Sequence, residues 1–475
     1  MAYWGTAMTY NHPFWYPPSP ADESAAWALV KKGMAAKKAS LRERLYISAV
    51  AALYKDGGAG AKSARDQNYR AAMAAIYASY PDDETKLFYG LSILEDIPEG
   101  THGFEHQAEA AKLFEDVYAH NPDHPGVLHY LIHAYDDPQH AELGLKAARA
   151  YAKVAPAVPH ALHMPSHIFT RLGYWDESAA TNLRGWEVSE ADVKRAGESG
   201  AYRDFHNLNY LEYAYLQLGR YRDAQHTVDI IAEQYRQLAD KKTAPDTPEL
   251  ESRHVRGRTI YAVPDRVVYG YFDMLTRLLV ESGRWNEVSG IPLVAPSRDF
   301  MAVKLQWEAK AAAVRGNAAE AKEAAERLLK LSQEPGEHPF AKQIIILQAQ
   351  EAEAFAAEAS GNREVAVEKL KEAVAIENLI DDLSQPPYPV IPANELCGNL
   401  LLELGRPAEA ATYFQTALKR TPNRPKAIFG LARSAQMIGD RTTARERYQE
   451  FRTLWKTADA DVPELVQTNA FLAGQ

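Results

Sequence analysis

Two pairs of histidines stand where a transition metal could use them. His129 and His133 lie four apart in VLHYLIHAYDDP, and His163 and His167 lie four apart in PHALHMPSHIFTRLGYW. Residues i and i+4 share one face of a helix, so each pair can aim two imidazole nitrogens at one point. The second pair follows the first by 34 residues for both members. Imidazole ligands suit zinc, copper, nickel or non-haem iron. Ten of the 15 histidines fall between His102 and His167. His-x3-His is expected about half a time by chance in such a chain, and it occurs four times. His102/His106 and His120/His124 surround Gly103 and Pro122 and read as loops. The other two pairs share a repeat register, which chance does not supply.

The elements that must carry these residues read as helices separated by breakers. NYRAAMAAIYASYPDD, ETKLFYGLSILE and AEAAKLFEDVYAHNPDHP alternate helix and proline, and Pro122 to Pro156 is again 34 residues. The chain has 475 residues, 46% hydrophobic and 24% charged, an ordinary globular composition. A net charge of −10 leaves no electrostatic footprint for nucleic acid, and no nucleic-acid partner is expected. No apolar run approaches the roughly 18 residues of a membrane span. The single Cys397 excludes an internal disulfide, and the plain helix after it argues against a thiol nucleophile. Neither a Gly-rich phosphate loop nor a GxSxG elbow is present.

Near the C-terminus, LLELGRPAEAATYFQTALKRTPNRPKAIFGLARSAQMIGDRTTARERYQEF carries Gly405, Ala410, Phe414, Ala417 and Pro422, then Gly439, Ala444 and Tyr448 at an offset of 34. This pattern resembles the tetratricopeptide repeat, in which Gly permits the turn, Ala lets two helices approach and the aromatic fills the gap between repeats. The Gly-to-Ala step of five recurs at Gly219/Ala224, Gly316/Ala321 and Gly361/Ala366, while Gly173 and Gly283 keep the turn without the Ala. The resemblance implies an all-α fold, a right-handed α-solenoid of stacked helical hairpins. HYLIHAYDDP and HALHMPSHIF also resemble a signature of bacterial tetratricopeptide proteins of unassigned activity. In those relatives another helix precedes the segment similar to MAYWGTAMTYNHP, and here Trp4 and Met8 would lie uncovered on the first helix. A truncated start is therefore expected. As written, the chain reads as cytoplasmic, and a lost leader would make it an exported or periplasmic protein. Three segments are expected: residues 1–240 as a solenoid with the histidines, 241–264 as a polar insert loop, and 265–475 as further repeats.

The resemblance also implies which residues face the concave groove. His163 lies ten before Gly173, His167 six before it and His160 thirteen before it; His206 lies thirteen before Gly219. Asp136 follows His133 by three. His129, His133, His163 and His167 are the expected metal ligands, with His160, His206 and Asp136 as further ligands or their supports. Pro165 either starts a helix or kinks one. Glu395 and Asp273, each ten before a turn glycine, read as solvated carboxylates or as a ligand or base reaching across the groove. Asn11 and His12 could approach the cluster, and Tyr135, Tyr210 and Tyr213 are expected to pack the repeats. Two functions remain open: a metal-dependent protein, or a metal-free scaffold holding a peptide or protein in its groove. The oligomeric state is not encoded in these features.

Overall fold

Seven glycines, Gly173, Gly219, Gly283, Gly316, Gly361, Gly405 and Gly439, have φ between 68° and 84°, the left-handed region that costs other residues about 1–2 kcal/mol. Each closes a helix in the same way. The amide after the glycine reaches back five residues, as in Tyr174 N to the Phe169 carbonyl (2.8 Å), Arg220 N to Tyr215 (2.9 Å) and Asp440 N to Ala435 (3.0 Å). The chain then turns into the next helix, and the alanine five residues on is fully buried at Ala224, Ala321, Ala366, Ala410 and Ala444.

The computed structural model describes residues 1–11, 18–58, 61–97, 103–241, 252–255, 258–261, 263–292, 297–335, 339–380 and 390–474. The result is an all-α solenoid of stacked helical hairpins. Pro125–Ala134 pairs with Ala141–Val154, Phe205–Gln217 with Tyr221–Lys241, Arg298–Val314 with Ala318–Gln333, and Pro425–Ile438 with Arg441–Leu454. First helices of successive hairpins also touch, Phe205–Gln217 on Val263–Glu281 and Arg298–Val314 on Pro339–Ala359. Phe414 fills the expected gap: a Cβ at Gly398 or Gly430 would lie 2.8 or 2.4 Å from its ring. The 241–264 insert, expected as a polar loop, includes a two-stranded antiparallel ladder, Ser252–Val255 against Arg258–Tyr261. No helix among the described residues is long and apolar enough to cross a membrane.

Contacts divide the chain into two compact units. One holds Met1–Asp136, His140–Pro156 and Ser252–Tyr261, and the other Asp137–Gln139, Ala157–Glu251 and Ala262–Gln475. In the first, Trp4 and Met8 are covered rather than bare. Trp4 meets Tyr46 and Phe88 edge-on at 5.3 and 5.0 Å, and the Tyr69 hydroxyl points to Met8 Sδ.

In the second unit the last repeats return to the first. Trp175 Nε1 donates to the Asn423 carbonyl (2.8 Å), Asn423 Nδ2 to the Leu172 carbonyl (3.1 Å), and Trp455 Nε1 to the Gln217 carbonyl (2.9 Å). Between these contacts sits Arg424, 1% exposed, bonded to Glu395 (2.6 Å) and Glu281 (2.9 Å). Glu395 is therefore neither a solvated carboxylate nor a metal ligand, because its charge is spent on Arg424.

Gly173 serves both the turn and this return, since a Cβ there would lie 2.0 Å from the Pro422 carbonyl oxygen, whereas Gly316 has open space. Gly316→Ala should cost about 1–2 kcal/mol, the left-handed penalty alone. Gly173→Ala should cost at least about 2 kcal/mol more, in the range of overpacked interiors. Urea denaturation of both variants measures the difference, and equal losses would contradict the close approach.

Candidate metal centre

Pro165 divides one helix into two. Pro159–His163 and Pro165–Leu172 meet at Met164, which keeps helical torsions (φ −51°, ψ −38°). The His167 amide bonds the Met164 carbonyl three residues back, tightening the turn. Carbonyls at the break are taken by side chains: Ser166 Oγ donates to His163 O (2.7 Å) and Thr181 Oγ1 to Leu162 O. The outcome is a local kink that brings His163 Nε2 and His167 Nε2 to 2.9 Å.

A third imidazole comes from the next hairpin. His206 opens the helix Phe205–Gln217, whose N-terminus is held by Asp204 accepting from the amides of His206 (3.2 Å) and Asn207 (3.3 Å). Asp204 N in turn donates to Ser189 Oγ (2.7 Å). The His206 ring lies 4.4 Å from that of His163, and the ligand nitrogens of His163, His167 and His206 all lie within 4.8 Å of one another. Tyr210, one turn further on, stacks on His167 at 5.4 Å and meets His163 edge-on at 4.7 Å.

The tautomer of His163 follows from its neighbours. Asn182 Nδ2 donates to the Ser178 carbonyl (2.8 Å), which turns Asn182 Oδ1 toward His163 Nδ1 at 2.8 Å. An amide oxygen only accepts, so Nδ1 carries the proton and Nε2 presents a lone pair. His167 Nε2–H then donates to His163 Nε2. Burial, reinforced by the other histidines, pushes His163 and His206 well below the usual imidazole range, and burial lowers His160 to about 4. These rings are neutral at pH 7, the form a metal binds.

Of the other expected residues, His160 belongs to the same unit, with its ring 6.3 Å from that of His163, outside the triad. His129 and His133, in the first unit, bring their Nε2 atoms to 3.1 Å, and His129 stacks on Tyr151 at 5.4 Å. Asp136 is half-buried after the helix Pro125–Ala134 and is not a member of the triad. Asp273 stays at the surface, Asn11 bonds Glu95 (3.2 Å), and His12 lies outside the described residues. His120 and His124 flank the Pro122 turn, where they pair with Asp83 (2.9 Å) and Glu84 (3.2 Å).

Asn182 escaped the sequence reading. Its signal lies on Trp175–Ala196, where Ser178, Asn182, Gly185 and Ser189 follow i, i+4, i+7, i+11 spacing and are all buried. A small and polar stripe inside a helical array asks for polar partners. It finds Thr170, His163, Asn207 and Asp204.

Unfolded histidines take protons below about pH 6.5, whereas these buried rings resist. The folded chain then binds fewer protons, so the contribution present above pH 6.5 is lost as pH falls toward 4. The urea midpoint should drop across that interval, and less steeply in His160→Gln. An identical drop in that variant would place the titration elsewhere.

No protein-family model matches the chain, and no curated protein matches it in sequence. Among solved structures it is similar to human IFIT1, solved as a dimer with PPP-AAAA and with m7Gppp-AAAA. Identity is 12% and 13%, with TM-scores of 0.38 and 0.37. The alignments cover 92% of this chain and 88% or 87% of the other. Those ligands belong to IFIT1. The expectation of no nucleic-acid partner, drawn from net charge alone, is withdrawn.

Proposed function

We propose that this solenoid carries a transition-metal site on His163, His167 and His206. The observation that carries the reading is convergence: three ring nitrogens within 4.8 Å of one another, drawn from two hairpins and from the two sides of a proline break. The donor chemistry fits a borderline ion such as zinc, copper, nickel or iron, each well served by imidazole. Fit also requires movement, since tetrahedral zinc with nitrogens at about 2.0–2.1 Å places them about 3.3 Å apart. The His163–His167 separation of 2.9 Å must open slightly. His163 is ready for this because Asn182 already holds its Nδ1–H, the supporting contact that metal-bound histidines use.

Three protein nitrogens leave a coordination position for water or substrate, so a bound ion would supply Lewis-acid or hydroxide chemistry rather than a closed structural staple. Around that position the chain's own contribution is orientation and exclusion of water. Asn182 fixes the His163 ring, Ser166 holds the His163 carbonyl, Asp204 fixes the start of the His206 helix, and the Tyr210 ring covers one side of the histidines. On this account the protein is a metal-dependent one of tetratricopeptide-like build, with the triad as ligands and Asn182 as their support. The pair His129/His133, with Nε2 atoms 3.1 Å apart, lies in the first unit.

One observation favours a different reading. The 2.9 Å bond between His163 and His167 satisfies both rings without an ion, as a polar core contact would. Zinc titration of chelator-treated protein separates the two. The metal reading expects tight uptake in the parent, loss of the site in His163→Ala, and about 10–100-fold weaker binding in Asn182→Ala. A folded parent that takes up neither zinc, copper, nickel nor iron would leave the polar core contact as the answer.

A further inference from the structure

Two of the three helices that present the triad have something else in common: each ends against the C-terminal repeats. Pro165–Leu172 carries His167, and five residues later the Leu172 carbonyl accepts from Asn423 Nδ2 (3.1 Å). Asn423 occupies the left-handed region (φ 56°), which turns its own carbonyl to accept from Trp175 Nε1 (2.8 Å). Phe205–Gln217 carries His206, and at its far end the Gln217 carbonyl accepts from Trp455 Nε1 (2.9 Å). The Gln217 side chain bonds Arg424 (3.4 Å) and Glu281 (3.3 Å), and the Gly219 carbonyl accepts from Asp459 N (3.0 Å). All these residues belong to one compact unit.

At 1.5 Å per residue, these contacts lie roughly 8 and 17 Å along the helix axes from His167 and His206. Both paths are mostly buried, with Arg171, Leu172 and Asn209 half-buried. Pro165 to Thr170 are buried without interruption, as are Asn207, Leu208 and every residue from Tyr210 to Gln217. A displacement at the far end of either helix is therefore passed to its histidine as a rigid tilt.

We propose that Asn423, Arg424 and Trp455 are positioning residues of the metal centre: they clamp the helices that carry His167 and His206 at their far ends and so set the distance between those two rings. The clamp rests on the metal reading and adds a coupling to it. A ligand set needs placement to about 0.5 Å, and the clamp holds two of the ligand-bearing helices where their rings converge, so ion binding favours the clamped arrangement. By linkage, the clamp strengthens ion binding by the same factor. The last repeats, some 250 residues from the histidines in sequence, thereby govern the site without touching it.

Hydrogen exchange on the parent protein, with and without zinc, tests this directly. Zinc should slow exchange about tenfold at the amides of Thr421, Asn423, Arg424 and Asp459, and His206→Ala should abolish the effect. In parallel, Trp455→Phe with Asn423→Gly removes two hydrogen bonds while keeping the ring and the backbone freedom. This double variant should keep parental helicity and bind zinc about tenfold more weakly, the weight of one to two hydrogen bonds. Zinc that binds the parent without changing exchange at these positions would overturn the clamp and leave the site standing. Parental affinity in the folded double variant would do the same. A parent that takes no zinc defeats the site itself, and the clamp's role with it. Should the double variant fail to fold, the exchange result on the parent decides.

Discussion

A guanidinium at 1% exposure is the constraint around which the larger unit is arranged. Arg424 survives out of water only because Glu395 and Glu281 meet it at 2.6 and 2.9 Å, with Gln217 completing the set. Desolvation alone would raise the Glu281 carboxyl, but Arg424 and Lys426 outweigh it and hold that carboxyl below its ordinary range. Such a cluster adds little net stability over a well-packed apolar one, yet removing one member strands a buried charge at about 3–5 kcal/mol. It therefore specifies more than it stabilises. Gln217 and Glu281 end helices, Glu395 starts one and Arg424 precedes one, so the cluster fixes where four hairpins meet. Helices tied that firmly can hold side chains to the tolerance that ligands need.

Repetition explains why there are two histidine pairs, and local sequence explains why they differ. Thirty-four residues before Pro165, Ser166, Ser178 and Asn182 stand Leu131, Ile132, Gly144 and Ala148. The first pair thus keeps its spacing on an unbroken helix with Ala148 at the position of Asn182, and Tyr151 stacks on His129 where Gly185 stands one period later. In the second pair, the proline break, the hydroxyls that cap it and the polar stripe of Trp175–Ala196 act together. Each is unfavourable on general grounds in a buried helix, and together they place His163 with a defined tautomer. Such departures from local preference are where function concentrates.

Much of the architecture was legible because turn chemistry is local. The seven glycines could be assigned from spacing to alanine and aromatic neighbours, and each needs the left-handed conformation that only its own backbone decides. Helical spacing likewise sufficed for both i, i+4 pairs. What spacing could not give was convergence between elements. His206 was legible as a groove position, but its meeting with His163 depends on hairpin stacking, and Asp136, expected on the face of His133, lies past the end of that helix and outside the triad. Glu395 failed for the same reason. Its partner Arg424 lies 29 residues away in the next repeat, and no pattern along the chain marks that ion pair. Asn182 was visible only as part of a stripe, a signal that has meaning once the facing helix is known.

The central claim is that three imidazoles close on one ion, and anomalous diffraction from crystals grown with zinc addresses it most directly. Data collected on both sides of the zinc absorption edge should show one strong peak about 2.0–2.1 Å from Nε2 of His163 and from a ring nitrogen each of His167 and His206. A fourth, non-protein ligand should complete the site. Refined coordinates with no anomalous density between these rings, and with His163 and His167 still joined at hydrogen-bond distance in saturating zinc, would contradict it.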